Sequence, residues 1–180
     1  HLFGTDRLRA VILDDQPAAL TLGEAESQQT RNQAGAIFSF SHLSAVCTAL
    51  RGDDAKETTR RMLFDMLSHR LAESQGEWLL QENMKMPRPH AAALLWDCAR
   101  ADWRQLVRQI DVPALVIGGR ASLVPWESQQ WIAQQIPHAT CHIAQLSVRF
   151  ATLRSSLFRL PQCAGSCMHA AHPITARHLP

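Results

Sequence analysis

The run Asp111-Val-Pro-Ala-Leu-Val-Ile-Gly-Gly-Arg120, with Val124-Pro125-Trp126 and Ser128-Gln-Gln-Trp-Ile-Ala-Gln-Gln-Ile-Pro137 after it, decides the fold. Ala114 to Ile117 is continuously apolar and bounded by Pro113 and Gly118. A strand covered on both faces reads this way, and such strands belong to parallel sheets. Trp131, Ile132 and Ile136 then recur at helical spacing, so a helix from Trp126 to Ile136 turns one apolar face to the sheet. A second strand follows at Thr140 to Ile143.

Working outward, Arg9-Ala-Val-Ile-Leu-Asp-Asp-Gln-Pro17 supplies a third strand, Ala10 to Leu13, ending in two carboxylates. His1-Leu-Phe-Gly4 reads as the last turn of a preceding helix with Gly4 as its C-cap. Between Pro17 and Asp111 the pattern becomes helical. Asp53 and Asp54 are placed to cap a helix lined by Met62, Leu63, Met66, Leu67 and Leu71. Another helix begins near Pro89 with Ala92, Leu95, Trp96 and Ala99 as its stripe, and Ala34 to Leu50 is apolar enough to be a third. The Met and Trp stripes suit either a substrate tunnel or simple helix packing.

The Asp111 to Pro137 run, its lead-in Asp102-Trp-Arg with Leu106 to Pro113, and the Arg9 to Pro17 strand together resemble an α/β-hydrolase. The likeness is nearest to its esterase and cofactor-free haloperoxidase branch with a helical cap, and covers about residues 1 to 143, corresponding to the C-terminal half of that fold. It implies an α/β class chain with three parallel strands, joined by right-handed crossovers. The expected divisions are a core strand and turn at 1–22, a cap at 23–108, a core strand-helix-strand unit at 109–144 and a non-family tail at 145–180. The resemblance further implies that the intact parent is a serine hydrolase acting on an ester-like small molecule by a Ser-His-Asp mechanism, with no cofactor. The chain is expected to begin in mid-domain.

Tested against that chemistry, the sequence is incomplete. The fold's nucleophile stands on a strained strand-to-helix turn signalled by G-x-S-x-G. The eight glycines form no such pattern; Gly165-Ser166 comes nearest, without a second Gly or a preceding strand. The family's usual acid lies one or two residues beyond the position of Arg120, where this chain has Ala121 and Ser122. Some members place the acid at the end of the earlier strand, which points to Asp14 or Asp15, and Asp15-Gln16-Pro17 resembles the family's turn there. Asp15 is therefore the candidate acid, and a strand-end carboxylate bonding loop N–H groups is the alternative. The base is unassigned: His142 falls inside a strand and reads as structural, and His169, His172 and His178 lie in the tail with no Gly-His pair. As it stands the chain is expected to be inactive. A different class, a non-catalytic interaction or regulatory module pairing through an exposed sheet edge, is the other reading.

Composition bounds the remainder. A chain of 180 residues with 46% hydrophobic and 19% charged residues can bury a core, and a net charge of +2 makes no electrostatic case for nucleic acid. Neither a secretory signal nor a membrane segment is visible, so a cytoplasmic site is the default, and five scattered cysteines read as reduced thiols. Charge is uneven along the chain. All 16 acids lie at or before Glu127, with 14 of the 18 basic residues, and none follows. That break suggests a changed reading frame or a joined segment near Ala144, with a divergent basic tail as the alternative. Within the tail, Cys163, Cys167, His169 and His172 have the residue types of a zinc site. A single residue between Cys167 and His169 is too short a loop for convergence, so no metal is expected. Truncation of the sheet is expected to make the chain self-associate.

Overall fold

The computed structural model describes residue 5, residues 7–67 and residues 73–145. Three strands, β1 (Val11–Asp14), β4 (Ala114–Gly119) and β5 (Ala139–Ala144), form a sheet of order β1-β4-β5, parallel throughout. This is the expected α/β core, with each strand shifted or lengthened by one or two residues. The Gly119–Ala144 pairing and the Arg120 N–H, which donates to the Ala144 carbonyl at 2.9 Å, hold the ends of β4 and β5 level.

Helix α6 (Trp126–Gln135) follows β4 and covers one face of this sheet. Val116, Ile132 and Ile136 are buried against one another there, with Trp131 partly buried beside them. The approach is close because Gly118 has no side chain: a Cβ at that position would stand 2.5 Å from Gln129 Cγ. The 3-10 turn Val107–Gln109 adds Val107 to the same cluster. Each large aliphatic group so removed from water contributes about 1.5–3 kcal/mol.

The intervening region contains more elements than its sequence suggests. A short parallel pair, β2 (Thr21–Leu22) and β3 (Phe38–Ser39), frames α1 (Gln28–Ala34), and α2 (Phe40–Ala49) follows directly. The continuous helix expected from Ala34 to Leu50 is therefore broken. The cause is Gly35, which ends α1 in the left-handed region at φ 81° and sends the chain into β3. Ser39 then caps α2 by accepting the His42 N–H at 3.2 Å, so the serines that weaken a helix interior serve as its start. Arg31 secures the frame by donating to the carbonyls of Gly23 at 3.2 Å and Phe38 at 2.8 Å.

Three further helices are α3 (Ala55–Met66), α4 (Glu73–Met84) and α5 (Arg88–Arg100). Asp54 takes the cap position of α3, as expected, but makes no side-chain cap hydrogen bond. The α5 stripe is as read: Ala92 and Ala99 are fully buried, and Leu95 and Trp96 pack with Met62 around Phe38, Leu43 and Cys47. These Met and Trp side chains thus take part in helix packing. Leu71 lies outside the described residues. Arg88 binds the three helices together, donating to Thr59 Oγ1 at 3.1 Å and to Asn83 Oδ1 at 3.0 Å.

Candidate functional site

Parallel strands carry their loops to a common end, and in open α/β sheets ligands are bound at the carboxyl ends. Here β1 delivers Asp15 to that end and β4 delivers the loop from Arg120 to Pro125. Asp15 has φ 54°, a left-handed conformation that Asp tolerates better than most residues. Its N–H donates to the Ile117 carbonyl at 2.7 Å, so the chain is still tied to β4 as it turns. The residue is fully buried.

Its carboxylate is met from the other loop. Ser122 Oγ donates to Asp15 Oδ2 at 2.6 Å, and the same hydroxyl accepts the Val124 N–H at 3.1 Å. Ser122 N–H donates to the Gly119 carbonyl at 3.1 Å, which folds the loop back over the sheet end. The two sequence positions considered for an acid, the end of the earlier strand and the place after Arg120, are therefore neighbours in space. A carboxylate reaching from either would occupy much the same volume. The hydrogen bond from Ser122 is one that sequence spacing could not reveal, since the partners are 107 residues apart.

Two glutamines also border this region, Gln129 buried and Gln16 exposed. Gln129 on α6 is fully buried and donates through Nε2 to the Gln16 carbonyl at 3.0 Å, while Gln16 Nε2 donates to the Asp14 carbonyl at 3.0 Å. Arg120 lies over the Trp126 ring, 4.4 Å from its centroid, at the mouth of the loop. Behind the site, Gly35 lets α1 meet Pro17 and α6: a Cβ there would fall 2.7 Å from Ser128 Oγ and 2.8 Å from Pro17 Cβ.

The described histidines are His42, His90, His138 and His142, all exposed. His42 and His90 belong to α2 and α5, and His138 precedes β5, at the end of the sheet opposite Asp15. His142 is on β5 in register with Ile117, its side chain on an exposed sheet face rather than in a core. His169, His172 and His178, Cys163 and Cys167, and Gly165-Ser166 all lie outside the described residues. Among the described residues no group of three His, Cys, Asp or Glu side chains could hold a metal. Burial raises the thiol pKa of both Cys47 and Cys141, which keeps them protonated and unreactive at neutral pH. On the surface, Asp102 is held below the usual carboxylate range by its hydrogen bonds from the Arg104 side chain, at 2.6 and 3.0 Å.

No protein-family model and no curated protein matches this sequence. Solved structures do share its architecture. A bromoperoxidase from Bacillus anthracis superposes with a TM-score of 0.67 at 15% identity, over 79% of this chain and 51% of its own. An esterase from Exiguobacterium antarcticum gives 0.68 at 13%, over 81% and 53%, and an enol-lactonase from Burkholderia xenovorans gives 0.60 at 18%, over 83% and 53%. The chain thus has a partial α/β-hydrolase fold and spans about half the length of each of these structures.

Proposed function

We propose that this chain is the acid-bearing half of a capped serine hydrolase, with Asp15 as the orienting carboxylate of a Ser-His-Asp triad and residues 23–108 as the cap. The observation that supports the reading is the fully buried Asp15 carboxylate at the carboxyl end of β1, held by Ser122 from the adjoining loop. An orienting acid must be buried, fixed and kept from bulk water, because its task is to hold an imidazole in one tautomer and stabilise its cation. The substrate class is an ester or related carbonyl compound of small size, and the mechanism needs no cofactor. Among the described residues no helix is long and apolar enough to cross a membrane. We place the chain in the cytoplasm.

On this reading the 180 residues are inactive alone, since the sequence holds no G-x-S-x-G elbow to activate a serine. Exposure of the purified chain to a fluorophosphonate probe and an activated ester is expected to give neither labelling nor turnover. Stoichiometric labelling of one serine would overturn the assignment. The coding sequence on either side provides the positive arm: an in-frame or shifted elbow about one helix length, roughly 10 to 14 residues, before His1, and a Gly-His pair in another frame after Ala144. Stop codons in every frame at both junctions would defeat it.

A second reading is a non-catalytic interaction or regulatory module that pairs with another chain through a sheet edge, β1 being an end strand of the sheet among the described residues. Turnover of an activated ester would exclude that reading.

A further inference from the structure

We infer that Gln129, on α6, is a positioning residue for Asp15: it clamps the turn after β1 through the Gln16 carbonyl and so holds the carboxylate where Ser122 meets it. The inference rests on reading Asp15 as the orienting acid. Its test reads the placement of Asp15 and not turnover, so either can fail alone.

A carboxamide is a costly group to bury where a helix covers a sheet. Ile132 of the same helix is buried against Val116, and a Leu or Met at 129 would fill similar space with no polar group to desolvate. Gln129 is nonetheless fully buried, and its Oε1 accepts no hydrogen bond among the described residues. The sheet is also shaped around it. At Gly118 of β4 a Cβ would stand 2.5 Å from Gln129 Cγ and 3.2 Å from its Cβ, so the strand carries a residue that weakens strands to let the glutamine in. Both costs serve one contact, from Nε2 to the Gln16 carbonyl at 3.0 Å, between residues 113 apart in sequence.

That contact bears on Asp15 through its backbone. At φ 54° Asp15 is in a region that side chains disfavour, and such a residue persists only where its surroundings over-determine it. On one side its N–H donates to the Ile117 carbonyl at 2.7 Å, and its carboxylate accepts Ser122 Oγ at 2.6 Å. Both of those contacts come from β4 and its loop. Gln129 fixes the peptide between Gln16 and Pro17, on the far side of the turn. Once that peptide is released, Asp15 can relax toward negative φ, and its carboxylate swings away from Ser122.

Urea denaturation of the full chain measures how far Ser122→Ala lowers the unfolding midpoint. In a Gln129→Met background, which keeps the bulk and removes the donor, that drop is expected to shrink to about half or less. Gly118→Ala reaches the same state by another route, because the amide is kept but pushed aside, and the drop should shrink there too. Ile132→Val, a destabilising change on the same helix, should leave the drop at its parental size. A glutamine that only fills space predicts the full drop in every background, and that result overturns the inference. Shrinkage in Ile132→Val as well would also overturn it. The parent chain gives a reading that needs no variant: the Gln129 side-chain amide should exchange with solvent no faster than the chain unfolds, and fast exchange sinks the clamp.

Discussion

The contact between Ser122 and Asp15 joins two loops that the sequence holds far apart, and it sets the character of the site. A hydroxyl donating to a carboxylate in a partly buried place contributes about 1.5–3 kcal/mol, more than an ordinary neutral hydrogen bond. Ser122→Ala should therefore lower the stability of the chain by about that amount, measured by chemical denaturation. Asp15→Asn should cost less in the Ser122→Ala background than in the parent, since the pair acts as a unit; equal costs in both backgrounds would show that the two residues do not couple. Asp15 itself was legible as a candidate, because two carboxylates at the end of an apolar run stand out. Its partner was not. Ser122 is an unremarkable serine until the sheet brings β1 and β4 side by side, and spacing along a chain carries no trace of that approach.

Among the elements, legibility followed periodicity. The helices with Ala92 and Ile132 were readable because each repeats its apolar residues at helical spacing, and the strand at Ala114 because its short apolar run is closed off by Pro113 and Gly118. The stretch from Ala34 to Leu50 was misread for a related reason: its apolar content is nearly uniform, and uniform content has no period. Gly35 and Ser39 held the missing information, one as a left-handed stop and the other as a cap. Gly35→Ala tests the first. It places a Cβ both in a disfavoured backbone region and within 2.7 Å of Ser128 Oγ, so a loss of more than about 1 kcal/mol is expected, read from the shift in denaturation midpoint. A neutral outcome would mean that α1 and α6 separate freely. Helices α1 and α4 and the β2–β3 pair gave no signal because they are short, polar or dependent on tertiary partners.

At the scale of the molecule, three buried apolar clusters are present among the described residues: one between the sheet and α6, one among the helices around Leu43, and a small one of Ala19, Leu22, Ala34 and Ala36. The sequence suggested a helical region between the strand before Pro17 and the strand after Asp111. It could not disclose the sheet order, which depends on which strand crosses to which. That order has a temporal consequence. β4, α6 and β5 are consecutive, so their contacts close short loops, whereas Val11 finds Ala114 only across about a hundred intervening residues. Closing so long a loop is entropically costly, and non-local pairing slows folding. The strand-helix-strand unit should thus assemble first and β1 dock last. Pulsed hydrogen exchange during refolding is expected to protect the amides of Val116 and His142, which bond between β4 and β5, before that of Leu13, and simultaneous protection would refute this order. Until it docks, the nascent chain has β4 as an unfinished sheet edge, and the carboxylate of Asp15 has no site to occupy.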